Sequence, residues 1–138
     1  ALVLVNRALA VDSTSQFYRY AKSSVYLNMG RYEDCIDICD KLIKENENLA
    51  DAYYNAGLSY FNMAIELDKM RQESRYNRRR ILELYNKALP YLETYRKLAP
   101  DRQDNWISPL YTIYLNLNMG KKFDEIDNIR NEYKRNHK

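Results

Sequence analysis

Glycine and proline are both scarce, with three of each in 138 residues. A chain with so few breakers, and without the strict alternation of a strand, reads as nearly all helix. The same scarcity leaves no glycine-rich loop of the kind that cradles phosphate. Histidine occurs once, as His137 in the C-terminal tail. Ser-His-Asp and Cys-His arrangements are therefore absent, and with them the usual nucleophilic chemistry. The two cysteines, Cys35 and Cys39, stand one helical turn apart. Without a second cysteine pair or a nearby histidine they do not make a zinc site, and they read as two small core hydrophobes. No stretch reaches the roughly 18 apolar residues of a membrane span. The formal net charge of +3 is too mild to imply nucleic acid by itself. No catalytic residue, metal site or cofactor is expected.

What is present is a repeat. Ala1, Val5, Ala8 and Leu9 recur 34 positions later as Cys35, Cys39, Leu42 and Ile43. A further 34 residues plus an insertion of 19 leads to Ala88, Leu92 and Tyr95. Each set places small or apolar side chains on one face of a helix. A period of this size points to stacked helical units rather than a single-core enzyme. Fourteen tyrosines accompany the repeat. They suit a thin two-layer array, because the ring fills space while the hydroxyl reaches water or a backbone partner.

The pattern resembles the tetratricopeptide repeat family, whose paired helices carry W-x2-L-G-x2-Y, then A-x3-F, then proline. The second unit supplies Tyr53, Ala56, Gly57 and Tyr60, and after the insertion Ala88, Leu92 and Pro100. The first supplies Ser23, Tyr26, Gly30, Tyr32, Cys35 and Cys39, with Arg19 where an early aromatic belongs, between Tyr18 and Tyr20. The third opens on Trp106 but has Leu110 in the small-residue position, and its pair is expected to break at Gly120, which falls three residues late. Ser23 and Gly57 mark places where helices must approach closely. The resemblance implies an all-α right-handed solenoid of antiparallel helix pairs, three units plus an N-terminal helix. A single array over 1–138 would divide into a leftover helix at 1–13, units at 15–48 and 49–101, and a C-terminal unit at 102–136. The insertion lengthens both helices of the second hairpin, with its tip near Arg71 to Asn77 and a kink at Pro90. Ser108-Pro109 offers an N-cap and first-turn pair at which the third unit's first helix could begin or restart. Because the chain starts without Met, inside a helix, it reads as a fragment of a longer protein. The lack of a visible targeting signal then says nothing of the parent.

In this family the first helix of each pair lines a concave groove. Repeat spacing maps that wall onto Phe17, Tyr20, Ser24, Leu27 and Asn28, then Asp51, Tyr54, Asn55, Leu58, Phe61 and Asn62, then Asp104, Ile107, Ser108, Tyr111, Tyr114 and Leu115. Aromatics with interleaved amides suit a peptide or protein partner. Modules of this family that grip a chaperone's C-terminal carboxylate use Lys, Asn and Arg in the groove. Here those places hold Tyr20, Ser24, Asn55, Asp104 and Ser108, which argues against that role. A basic cluster at the hairpin tip (Lys69, Arg71, Arg75, Arg78, Arg79 and Arg80, against Glu73 alone) is either a solvated surface or a dock for an acidic partner, a lipid headgroup or a nucleic acid such as RNA. A structural role remains open beside groove binding, with the array packing on preceding repeats or on another copy. A further resemblance, in NKALPYLETYRKLAPD and SPLYTIYLNLNMGKKFDEID, is to the C-terminal part of tetratricopeptide proteins of Bacteroidetes, which implies a cell-envelope parent.

Overall fold

The computed structural model describes residues 1–70 and 75–137, with side chains at 1–70 and 77–137. Among these residues seven helices follow in order: α1 (Leu2–Val11), α2 (Gln16–Asn28), α3 (Tyr32–Glu45), α4 (Ala50–Lys69), α5 (Arg75–Leu98), α6 (Gln103–Asn116) and α7 (Gly120–Asn136). Among the described residues there is no strand. Each helix packs on the next, and α2 also packs on α4. That connectivity is an all-α solenoid of helix pairs, as the repeat implies. Among the described residues no helix is long and apolar enough to cross a membrane.

Local chemistry explains most of the boundaries. The Ser15 side chain caps α2 by accepting from the Tyr18 amide at 3.2 Å. After α2, Gly30 takes the left-handed conformation at φ 77°, where lack of a Cβ removes the penalty. Glu33 and Asp34 sit in the first turn of α3, where the helix dipole favours acids. The insertion appears as length: α4 has 20 residues and α5 has 24, against 13 and 14 for α2 and α3. The α5 helix carries through Pro90, whose exposed position, with Asn86 also exposed, leaves the freed carbonyl near water.

Two expectations about the third pair need correction. The α6 helix neither begins nor restarts at Ser108-Pro109 but runs unbroken from Gln103, with Pro109 in its interior. The turn before Pro109 is held because Trp106 is 2% exposed and its indole Nε1 donates to the Ala99 carbonyl at 3.2 Å. The pair is also not broken at Gly120. Asn118 takes the left-handed conformation at φ 56°, and Gly120 instead opens α7. Asparagine tolerates that region better than other non-glycine residues.

Two cores lie along the array. One joins Cys35, Cys39 and Leu42 of α3 to Ala52 and Ala56 of α4. The other joins Ala64 to Ile81, Leu84, Tyr85, Ala88, Leu92 and Tyr95 of α5, and to α6 and Ile126 of α7. Both cysteines are fully buried in the first core, as their helical spacing indicated. The Cys39 thiol is pushed well above its usual range by the Cys35 thiol beside it and by burial. Where α4 meets α5, a Cβ on Gly57 would stand 2.8 Å from Leu92 Cγ and 3.2 Å from Tyr91 Cβ. Ser23 is likewise fully buried. Both small residues sit at close helix contacts, as expected.

Candidate partner-binding groove

The tyrosines behave as two-ended residues. The Tyr53 hydroxyl donates to the Glu47 carbonyl at 2.9 Å, Tyr32 to Glu66 at 2.6 Å and Tyr91 to Asp40 at 2.7 Å. Their rings meanwhile pack between helices, as Tyr60 does on Tyr91 at 5.9 Å. Against this background the groove wall can be sorted into side chains already committed to packing and those left over.

Asn55 is committed, which corrects its placement on the partner-binding surface. It is 3% exposed, and its Nδ2 donates to Ser23 Oγ at 3.0 Å and to Ser24 Oγ at 2.9 Å. Ser23 Oγ in turn donates to the Tyr20 carbonyl at 2.6 Å. The Asn55 carbonyl accepts from Ser59 Oγ at 2.8 Å and from the Cys35 thiol at 3.7 Å. Asn55 therefore pins α2 to α4 from inside the wall. Tyr114 needs the same correction. It is 2% exposed, and its hydroxyl donates to Glu93 at 2.8 Å, toward α5 and away from any partner. Ile107, at 5% exposed, is also part of the core.

The remaining wall is partly exposed: Tyr20 and Ser24 on α2, Tyr54, Leu58, Phe61 and Asn62 on α4, and Tyr111 on α6. Tyr54 rests on Tyr95 with ring centroids 4.7 Å apart, and Phe61 on Tyr85 at 5.9 Å. Tyr111 leans toward α7, against Phe123 at 5.0 Å and under the Arg130 guanidinium at 4.4 Å. Leu58 belongs to neither core. The phenols of Tyr20 and Tyr54 are both raised above 10.0, first by burial. Hydrogen bonding to Ser24 opposes the rise at Tyr20, while the charges of Tyr95, Asp104 and Tyr20 add to it at Tyr54. Tyr20 and Tyr54 thus feel one another across the α2–α4 seam. Both stay neutral at physiological pH and offer rings and hydroxyls, with exposed Asp51 and Asp104 at the rim.

The basic tip is only partly in view. Lys69 ends α4, Arg71 lies outside the described residues, and Arg75 opens α5. Arg78 donates to Asn116 Oδ1 at 3.5 Å, and Arg80 pairs with Glu83 at 3.5 Å. Arg79 is exposed. Two residues that spacing alone did not single out are also structural. Ser59 is fully buried, and Glu93 accepts from both Tyr114 and Lys122 Nζ at 2.8 Å. Among the described residues no cluster of three or more His, Cys, Asp or Glu is placed to hold a metal ion.

The clamp gives a direct prediction. Asn55→Leu keeps the volume but removes the amide that serves both serines. It should cost about 1–2 kcal/mol in urea unfolding. A change below about 0.5 kcal/mol, within the range of ordinary surface substitutions, would show that the clamp carries no stability.

Over 84 residues, 61% of the chain, the sequence is 30% identical to Hsp70-Hsp90 organizing protein 1 of Glycine max. Over 82 residues it is 28% identical to Hsp70-Hsp90 organizing protein 2 of Arabidopsis thaliana, and over 43 residues 37% identical to Hsp70-Hsp90 organizing protein 3 of that plant. The chain spans 14%, 14% and 8% of the length of these relatives. No family model matches the chain, and no solved structure matches it. The similarity to these relatives, together with consecutive helix pairs at the repeat spacing, supports a tetratricopeptide-like helical family.

Proposed function

We propose that this chain is a non-catalytic scaffold that binds a peptide or protein segment along the α2–α4 wall. The observation that carries the reading is Leu58. It is a partly exposed leucine outside both cores, flanked by Tyr54, Phe61 and Asn62 on the same helix. Apolar surface with rigid aromatic neighbours suits a partner's anchor residue, since rings held by Tyr95 and Tyr85 lose little entropy on binding. The relatives' names refer to Hsp70 and Hsp90. In this chain, however, the positions for a carboxylate grip hold no cation, and Asn55, the one matching residue, is spent inside the wall. The proposed partner is therefore recognised by apolar and hydroxyl contacts rather than by a terminal carboxylate.

Leu58→Glu should abolish capture of a partner from extract while leaving the circular dichroism spectrum and melting temperature close to wild type. A Tyr54→Ala/Phe61→Ala double variant should lose capture as well, with some loss of stability because both rings rest on core tyrosines. Binding that survives Leu58→Glu at full strength would remove the groove from consideration. Running envelope and cytosolic extracts side by side also tests the compartment implied by the Bacteroidetes resemblance.

A second reading rests on α1. Val3, Leu4 and Val11 are 64%, 68% and 91% exposed on a helix whose main packing partner among the described residues is α2. Such a face favours assembly with further repeats or a second copy. A mass that rises with concentration, and that falls back with Leu4→Glu, would establish self-association.

A further inference from the structure

Between α1, α2 and α3 lies an open cleft of about 520 Å³. Leu9 and Ile38 form its apolar floor, and Arg19, Lys22 and Lys41 bring three cations to it against one acid, Glu45. Arg19 is engaged by that acid at 2.6 Å. Lys22 lies 5.7 Å from the Tyr26 ring centroid, and among the described residues neither it nor Lys41 has an acidic partner within 4 Å. The cleft therefore keeps two unneutralised positive charges above an apolar surface.

The repeat explains why there is a cleft here. The position of Arg19 is Tyr53 in the second unit and Trp106 in the third. Tyr53 closes its corner by donating to the Glu47 carbonyl, and Trp106 does so by donating to the Ala99 carbonyl. Both bridge a ring from the first helix of the pair back to the preceding turn. Arg19 instead reaches forward to Glu45 on α3, so no ring fills the first corner. The cations are equally particular to this unit, because the equivalents of Lys22 and Lys41 in the second unit are Ala56 and Thr94.

We propose that the α1–α2–α3 cleft is a second binding site, separate from the groove, for an acidic peptide segment that carries an aromatic side chain beside a carboxylate. The ring occupies the space that Tyr53 and Trp106 fill from within in the other units. The carboxylate pairs with Lys22 and Lys41, and Glu45 keeps Arg19 at the edge. A neutral apolar peptide gains only the floor, and an acidic peptide without a ring gains only partly solvated ion pairs.

The test uses the uniformly nitrogen-15-labelled 138-residue chain and a capped pentapeptide, Gly-Asp-Phe-Glu-Gly. Titration should shift the amides of Arg19, Lys22, Lys41 and the α1–α2 turn. The Asn/Gln version of the peptide should bind about tenfold more weakly, the loss expected when charged hydrogen bonds are removed. Arg19→Tyr should restore the ring and close the cleft, abolishing these shifts while the spectrum stays dispersed. Lys22→Gln/Lys41→Gln, at surface positions that leave the fold intact, should weaken binding and flatten its salt dependence. The proposal is overturned if Arg19→Tyr leaves the shifts in place, if the neutral peptide binds equally, if the shifts fall only around Tyr54 and Phe61, or if none appear at millimolar peptide. Shifts at Tyr54 and Phe61 alone would speak for the groove and against this cleft, so the two readings fail separately.

Discussion

Gly57→Val is expected to destabilise the protein by roughly 3 kcal/mol, at the upper end of typical overpacking penalties. A Cβ alone would come 2.8 Å from Leu92 Cγ and 3.0 Å from its Cδ2, distances at which something must move. Leu92 has no room to retreat, because it is fully buried among Tyr95, Ala88 and the α6 side chains. Tyr91 Cβ, at 3.2 Å, is tied to the α5 backbone. Valine adds two methyl groups to this conflict. Its better helix propensity returns only about 0.5 kcal/mol relative to glycine. Gly57→Ala should show a smaller loss, since about 1 kcal/mol of propensity gain opposes the clash. Trimming the opposing side chain supplies the control. If steric conflict is the cause, Gly57→Val should cost much less in a Leu92→Ala background than alone, a coupling readable from a urea double-mutant cycle. Additive losses would show that the helices part elsewhere.

The second large effect is expected in alkali. Seven phenols (Tyr20, Tyr32, Tyr54, Tyr60, Tyr85, Tyr91 and Tyr114) are held above their usual value of 10.0. Burial is the first cause at each. At three of them a carboxylate accepting the hydroxyl proton adds to it: Glu66 for Tyr32, Asp40 for Tyr91 and Glu93 for Tyr114. Tyr32 is pushed up to about 12. A raised native value means that the folded state holds its protons after the unfolded chain has released them. The stabilisation is therefore complete below pH 10 and declines as pH rises through the native values. Unfolding stability should fall steeply from about pH 10 to above 12, as these seven phenols release their protons on unfolding. Tyr91→Phe/Tyr114→Phe should cost about 1 kcal/mol per lost hydrogen bond at neutral pH but give a shallower decline in alkali. The comparison with wild type isolates the contribution of these two phenols. A wild-type unfolding stability that stays flat between about pH 10 and 12 would contradict the account.

The order of helices, the long central hairpin and the close contacts at Ser23 and Gly57 could all be read from the sequence, because each is written as repeated spacing or as residue size. What spacing could not convey was the direction of a polar side chain at a boundary position. Asn55 falls on the groove register, yet it turns inward because Ser23 and Ser24 offer acceptors from another helix, 32 and 31 residues away. Tyr114 shares a register with Leu27 and Phe61 but is drawn toward Glu93, 21 residues earlier. The misplaced start at Ser108-Pro109 has a related origin. A good local capping signal lost to burial of Trp106 one turn earlier. The binding cleft at Arg19 first showed in the sequence as a departure from the repeat, an arginine where a ring belonged. The length of the preceding and following turns gave no hint that the space would be left open.

The two cores share a single helix. Ala52 and Ala56 of α4 belong to one and Ala64 to the other, with Leu58 between them on the outer side. A solenoid whose units touch only their neighbours can open from its ends. Here either end can loosen while α4 keeps its seat against the remaining half. Cooperativity across the chain therefore passes through α4 around Gly57 and through the Tyr91–Asp40 hydrogen bond from α5 to α3, which together act as a coupling between two springs. A ligand gripping the wall at Leu58 would hold that coupling, so that capture at one narrow surface stiffens both halves of the array at once.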